Sequence, residues 1–153
     1  MNLKKSALLA EIFGGVGIIV SILYLGYEVS ENTKNTRISN HLALQDMNSE
    51  FAALQLVNPE LVEIVLKGSS DLTSLSDVER NQFELFTNQA FNVWETAFLM
   101  QVDDVLPEGT WDLWNVGYCD YMNRPGFRAI WSAGQSKSFT ILFGDIVNAC
   151  FSE

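Results

Sequence analysis

The hydropathy pattern divides this chain into one long apolar run and a series of amphipathic segments behind it. Residues 7–27 read ALLAEIFGGVGIIVSILYLGY, with Glu11 as the only charged residue. As a helix this stretch reaches about 31 Å, close to the hydrocarbon thickness of a bilayer. Lys4 and Lys5 precede the run, and Tyr24 and Tyr27 close it; such residues anchor a span at the two headgroup layers. A soluble core helix of this length would carry a polar stripe. A cleaved signal peptide would end on small residues, where this chain has Tyr24-Leu25-Gly26-Tyr27-Glu28. The run predicts an uncleaved transmembrane helix.

Helical spacing continues behind it. Ile38, Leu42, Leu44, Met47, Phe51 and Leu54 recur on a helical period, after a polar neck of Asn32, Thr33, Asn35 and Thr36. Asn and Thr are mediocre helix formers, so the helix either breaks at the neck or runs through it. Asn58-Pro59-Glu60 has the chemistry of a helix start, with Asn as N-cap and Pro in the first turn. That helix is expected to end at Lys67-Gly68, with a loop over residues 68–76. Ser76-Asp77-Val78-Glu79 is a capping box that opens a long helix to about Val102.

The long helix has two apolar faces. Phe83, Phe86, Ala90, Val93, Ala97 and Met100 form one, and Phe91, Trp94 and Phe98 the other, which is the signature of a helix at a bundle centre. Pro107 and Thr110 introduce a further helix through Met122, and Arg124-Pro125-Gly126 breaks it. Two short helices are expected near residues 127–133 and 138–150. No convincing alternation of period two occurs. The expected fold is all-α: an N-terminal transmembrane helix continuing into a small soluble helical bundle. The segments are a flank at 1–6, the span at 7–27, a juxtamembrane helix at 28–57 and a bundle at 58–153.

Charge narrows the partners. The chain carries 19 acidic against 9 basic residues, a formal net charge of −10. Lys4, Lys5 and Glu11 lie in or before the span, so the remainder is more acidic still. Such a surface does not neutralise phosphates, which argues against nucleic acid and against the domain lying flat on anionic lipid. Cys119 and Cys150 are too few and too far apart for a zinc framework. They could form one disulfide in an oxidising compartment; the preferred reading is two small buried hydrophobic residues. Lys4 and Lys5 on one side against Lys34 and Arg37 on the other leave the orientation almost balanced, with a slight lean to a cytoplasmic N-terminus.

The clearest constellation lies in the span. Ala7, Ala10, Gly14, Gly17 and Ser21 are spaced 3, 4, 3 and 4 and so share one face. A stripe of small residues lets a second transmembrane helix approach closely. Glu11 is an intramembrane carboxylate, costly when charged and unpaired, and is assigned to a partner contact rather than to proton transport. In the domain, Trp111, Trp114, Tyr118 and Tyr121 form an aromatic stripe on one helix. With Trp94 they either line an apolar pocket or, as the favoured reading has it, fill the core.

Catalytic chemistry finds little purchase. His41 is the only histidine, and Arg37, Leu44 and Gln45 give it neither a nucleophile nor a carboxylate partner. Glu84, Asn88 and Glu95 share a helix face without the Glu-x-x-His spacing of di-iron bundles. Residues 71–82 resemble a calcium loop but have Ser76 where glycine is needed and Gln82 at the closing glutamate. Arg124 and Arg128 could hold an anion, though pairing with nearby acids is the preferred reading. No metal site, no cofactor and no enzyme are expected.

A wider likeness runs through most of the chain. Glu11-Ile12, the glycines before Ile18-Ile19, Ser21-Ile22-Leu23-Tyr24-Leu25 and Asn32-Thr33 resemble a group of uncharacterised bacterial proteins. So do Asn58-Pro59-Glu60, the segment from Phe91 to Trp94-Glu95 and the pair Trp111 and Trp114. These are short proteins with one N-terminal span and a helical domain. The resemblance implies a bacterial inner-membrane setting and implies no activity. The expected function is that of a single-pass, non-enzymatic accessory or scaffold subunit, with the bilayer and another transmembrane helix as partners. The alternative is a membrane-tethered binding module for a small apolar ligand.

Overall fold

The computed structural model describes residues 3–152, with side chains from residue 11 onward. Among these the fold is all-α, as the periodicity predicts. Six α-helices follow in order: α1 (Leu3–Leu56), α2 (Pro59–Ser70), α3 (Asp77–Val102), α4 (Thr110–Met122), α5 (Pro125–Ser132) and α6 (Ile141–Cys150). Single 3-10 turns occupy Leu72–Ser74 and Gln135–Ser138. The chain separates into two compact units, 1–37 and 38–153.

The first unit is helix alone. Its residues from Glu11 to Ser30 are all exposed. The polar neck does not break α1. Thr33 donates to the Val29 carbonyl at 2.9 Å and Thr36 to that of Asn32 at 2.9 Å, so these hydroxyls are satisfied four residues back along the helix they might have ended.

The second unit is built around α3. Phe83, Phe86, Ala90, Val93, Phe91, Trp94, Ala97 and Phe98 are all buried, so both apolar faces of the helix are covered. The larger core adds Phe51 of α1, Ile64 and Val65 of α2, and Phe127, Ile130 and Trp131 of α5; α6 closes it with Phe143 and Val147. A smaller cluster joins Leu44 of α1 to Val93, Ala97 and Leu106. Aromatic rings meet edge to face at the centre, Trp94 against Phe143 at 5.3 Å and Trp131 against Phe143 at 6.2 Å. Each buried indole N–H has a partner: Trp94 donates to the Asn115 side chain at 3.2 Å and Trp131 to that of Asn148 at 3.0 Å.

Both expected helix starts are present. Asn58 caps α2 by accepting from the Leu61 amide. Ser76 and Glu79 cap α3 reciprocally. Thr140 caps α6 through its hydroxyl, and its own amide donates to the Glu95 carboxylate at 2.7 Å.

Three expectations are corrected. Gly68 does not stop α2, which runs on to Ser70. It is buried where α2 meets α5, and an added Cβ would meet the Phe83 ring at 2.8 Å. Opposite it sits Gly126, whose added Cβ would come within 1.8 Å of the Gly68 carbonyl oxygen. Gly126 lets the α5 backbone touch that of α2, and Gly68 leaves room for the Phe83 ring. Second, Cys119 and Cys150 form a disulfide, with Cα atoms 5.7 Å apart. It ties α4 to the last turn of α6 and closes a loop with a sequence separation of 31, a constraint worth about 3–4 kcal/mol. Third, the arginines do not pair with acids as expected. Arg124 lies over the Tyr121 ring at 5.0 Å. Arg128 donates to the Asn123 side chain and the Phe151 carbonyl, with its guanidinium over the Phe151 ring.

The glycine contact is testable by a matched pair. Gly126→Ala should destabilise the protein by about 2–3 kcal/mol, because a backbone must move to admit the methyl group. Gly117→Ala, at a helical glycine whose added Cβ would meet nothing within 4 Å, should stabilise by about 0.5–1 kcal/mol. Urea denaturation of both would show equal effects if the Gly68–Gly126 approach were unimportant.

The capping box carries a pH signature. Hydrogen bonds from the Ser76 hydroxyl and backbone N–H hold the Glu79 carboxyl below its ordinary range. A depressed folded pKa stabilises above the unfolded value, near 4.3, and that stability is lost as pH falls through the folded one. In Ser76→Ala the Glu79 titration, followed by NMR, should move up toward that ordinary value; no movement would dissociate the carboxylate from the cap.

Candidate functional site

α4 packs on α3 through one side only, and this sets up the domain's aromatic groove. Thr110 and Met122 are buried at its ends, while Leu113, Val116 and Gly117 face outward, exposed. Between those faces the aromatic stripe divides. Trp94, on α3, is wholly buried and belongs to the core. Trp111 is half-buried, packs against both clusters and lies 5.6 Å from the Phe98 ring. Trp114, Tyr118 and Tyr121 are half-buried and turn toward the domain end of α1.

There they line a groove of about 400 Å³ together with Asn48, Phe51, Ala52 and Gln55 of α1, and with Leu113 and Gly117 of α4. The Trp114 and Tyr118 rings stack with centroids 5.8 Å apart and planes 12° apart, and Tyr118 stacks in turn on Trp94 at 5.9 Å. The Tyr118 hydroxyl donates to the Asn48 side chain across the groove at 2.9 Å. Burial pushes both tyrosine hydroxyls above their usual pKa, Tyr118 strongly. The groove is neutral at any physiological pH.

Reading α4 alone exposed one wall of this groove. The other wall was legible as well: Asn48, Ala52 and Gln55 follow at spacings of 4 and 3, a polar and small strip beside the apolar face of Leu44 and Phe51. What no local pattern carried was the pairing of the two strips, whose nearest members, Gln55 and Trp114, are 59 residues apart.

In the span, Gly14, Gly17 and Ser21 share a face as their spacing requires, and with Ile18, Ile22 and Leu25 they outline a shallow depression. The Ser21 hydroxyl donates to the Gly17 carbonyl at 2.8 Å. The side chains of Ala7 and Ala10 lie outside the described residues. Glu11 is exposed one turn before Gly14, and at the far end the Tyr24 hydroxyl donates to the Glu28 carboxylate at 2.7 Å.

The residues weighed for catalysis have structural partners. His41 Nε2 is 3.0 Å from the Gln45 amide nitrogen. Glu84 accepts from Arg80, Asn88 from Asn92, and Glu95 from the Thr140 amide. Asp71 accepts from Thr73 and opens the 3-10 turn at Leu72–Ser74. Among the described residues no three of His, Cys, Asp or Glu gather at one point. No protein-family model, curated protein or solved structure matches the chain. Among the described residues, one helix near the N-terminus is long and apolar enough to cross a membrane.

Proposed function

We propose that the chain is a single-pass protein of a bacterial inner membrane whose helical domain serves as a non-enzymatic accessory subunit of a membrane complex. The observation that carries this is the contrast between the two units. Residues 38–152 enclose a core of two joined clusters that buries side chains such as Phe83, Trp94, Phe143 and Leu44. Glu11 to Ser30 bury none, and so long an exposed apolar helix demands lipid or another helix around it. The small-residue face at Gly14, Gly17 and Ser21 favours a helix over lipid on that side. Glu11, one turn away, would add a carboxylate to the same contact. The likeness to uncharacterised single-span proteins supports the bacterial setting.

The disulfide supports an orientation. Cys119–Cys150 closes on the domain, and such bonds persist on the oxidising side of a membrane. Lys4 and Lys5 then fall on the cytoplasmic side, in line with the slight lean of the flanking basic residues.

Two measurements test these readings. In mild detergent the full chain should co-purify with a membrane subunit in constant ratio, and Gly14→Leu combined with Gly17→Leu should reduce that recovery by about tenfold or more. A lone chain, or recovery unmoved by the double substitution, would sink the accessory-subunit reading. For orientation, denatured protein from acid-trapped cells should take up no maleimide-polyethylene glycol before reduction and two adducts after it. Two adducts before reduction would place the domain in a reducing compartment.

A further inference from the structure

We propose that the groove between α4 and the domain end of α1 is a binding site for a small, uncharged, planar aromatic molecule that carries at least one hydrogen-bonding substituent. The inference does not depend on the accessory-subunit reading; it concerns the domain alone.

Three properties of the groove define the occupant. The first is charge. In a chain with 19 acidic residues no charged side chain lines this groove, whereas two other depressions on the domain each include a carboxylate, Glu50 in one and Glu84 in the other. An ion would leave its hydration shell there without a counter-charge, which is costly. A neutral molecule meets no such penalty.

The second is shape. A volume of about 400 Å³ sits in the range of small-molecule sites. Tyr118 stacks on both Trp94 and Trp114, which leaves Trp114 as the aromatic wall open to a ligand, suited to offset stacking by another flat ring. Gly117 and Ala52 leave the space beside that wall open; an added Cβ at Gly117 meets nothing within 4 Å.

The third is unspent hydrogen-bonding capacity. Tyr118 and Asn48 satisfy each other. Among the described residues, Gln55, Tyr121 and Trp114 line the groove, and their side-chain polar groups make no hydrogen bond within the protein. They offer donors and acceptors together, which suits a carbonyl or hydroxyl substituent on the ring and gives an apolar site its orientation.

The test uses the full chain in lipid nanodiscs and the neutral photoprobe 3-trifluoromethyl-3-phenyldiazirine. Labelling of the span by probe dissolved in lipid serves as the internal reference. The peptide containing Trp114 and Tyr118 should be labelled saturably. Neutral 2-naphthol should suppress that labelling and the anion 2-naphthalenesulfonate should not. Gly117→Leu and Ala52→Leu fill the groove from opposite walls, so a fold defect in one leaves the other informative. Each should lower groove labelling about fivefold or more, with span labelling unchanged. Labelling that survives both substitutions, that never saturates, or that the sulfonate suppresses as well as the naphthol, would overturn the proposal.

Discussion

A helix that is apolar around most of its circumference is stable in water only when other elements cover it on several sides. α3 imposes that demand on residues 38–153. Its Phe83, Phe86 and Phe91 require cover from α2 and α5, and Trp94 and Phe98 require it from α4 and α6. Val93 and Ala97, on the remaining side, recruit Leu44 of α1 and Leu106 of the following loop. The short helices have little stability of their own at 8–13 residues. They are helices because α3 gives each an apolar surface to lie on.

Short helices packed on one long one must still be held at their free ends. The Gly68–Gly126 approach brings α2 and α5 to backbone contact at one end. The disulfide binds α4 to α6 at another. Arg128 works beside it: its guanidinium reaches the Phe151 carbonyl and the Asn123 side chain, and Asn123 in turn donates to the Cys150 carbonyl at 3.4 Å. The last turn of the chain is thus fastened by one covalent link and a small polar network, where an isolated ten-residue helix would fray.

The elements that were legible in sequence are those whose signals are local. The Ser76–Glu79 box, the Asn58-Pro59 start and the two faces of α3 each follow from residues within a few turns of one another, and the structure contains all three. The misread positions depend on distant neighbours. Gly68 has the identity of a helix stop, and the Phe83 and Leu75 side chains beside its Cα, with the Gly126 backbone at its carbonyl, make it a packing residue. Cys119 and Cys150 look like small apolar side chains until α4 and α6 lie side by side. The aromatic stripe was read as core or as pocket and is divided between the two, because Tyr118 and Tyr121 pack on Trp94 and Phe127 and also reach the domain end of α1.

The groove and the acidic exterior can be understood together. A high net negative charge keeps a small helical domain dispersed and discourages its own association. The same charge is a hindrance wherever a surface has to be dried, since removing an ionised carboxylate from water costs several kcal/mol. A chain with 19 acids has few places to avoid them by chance, yet the wall of Trp114 and Tyr118 faces a strip of Asn48, Ala52 and Gln55 with no acid on either side. Polar but uncharged side chains wet the groove enough to keep it soluble and release water at far smaller cost than carboxylates. That combination permits a reversible, neutral contact on an otherwise repulsive surface, and it distinguishes this groove from the other depressions on the domain.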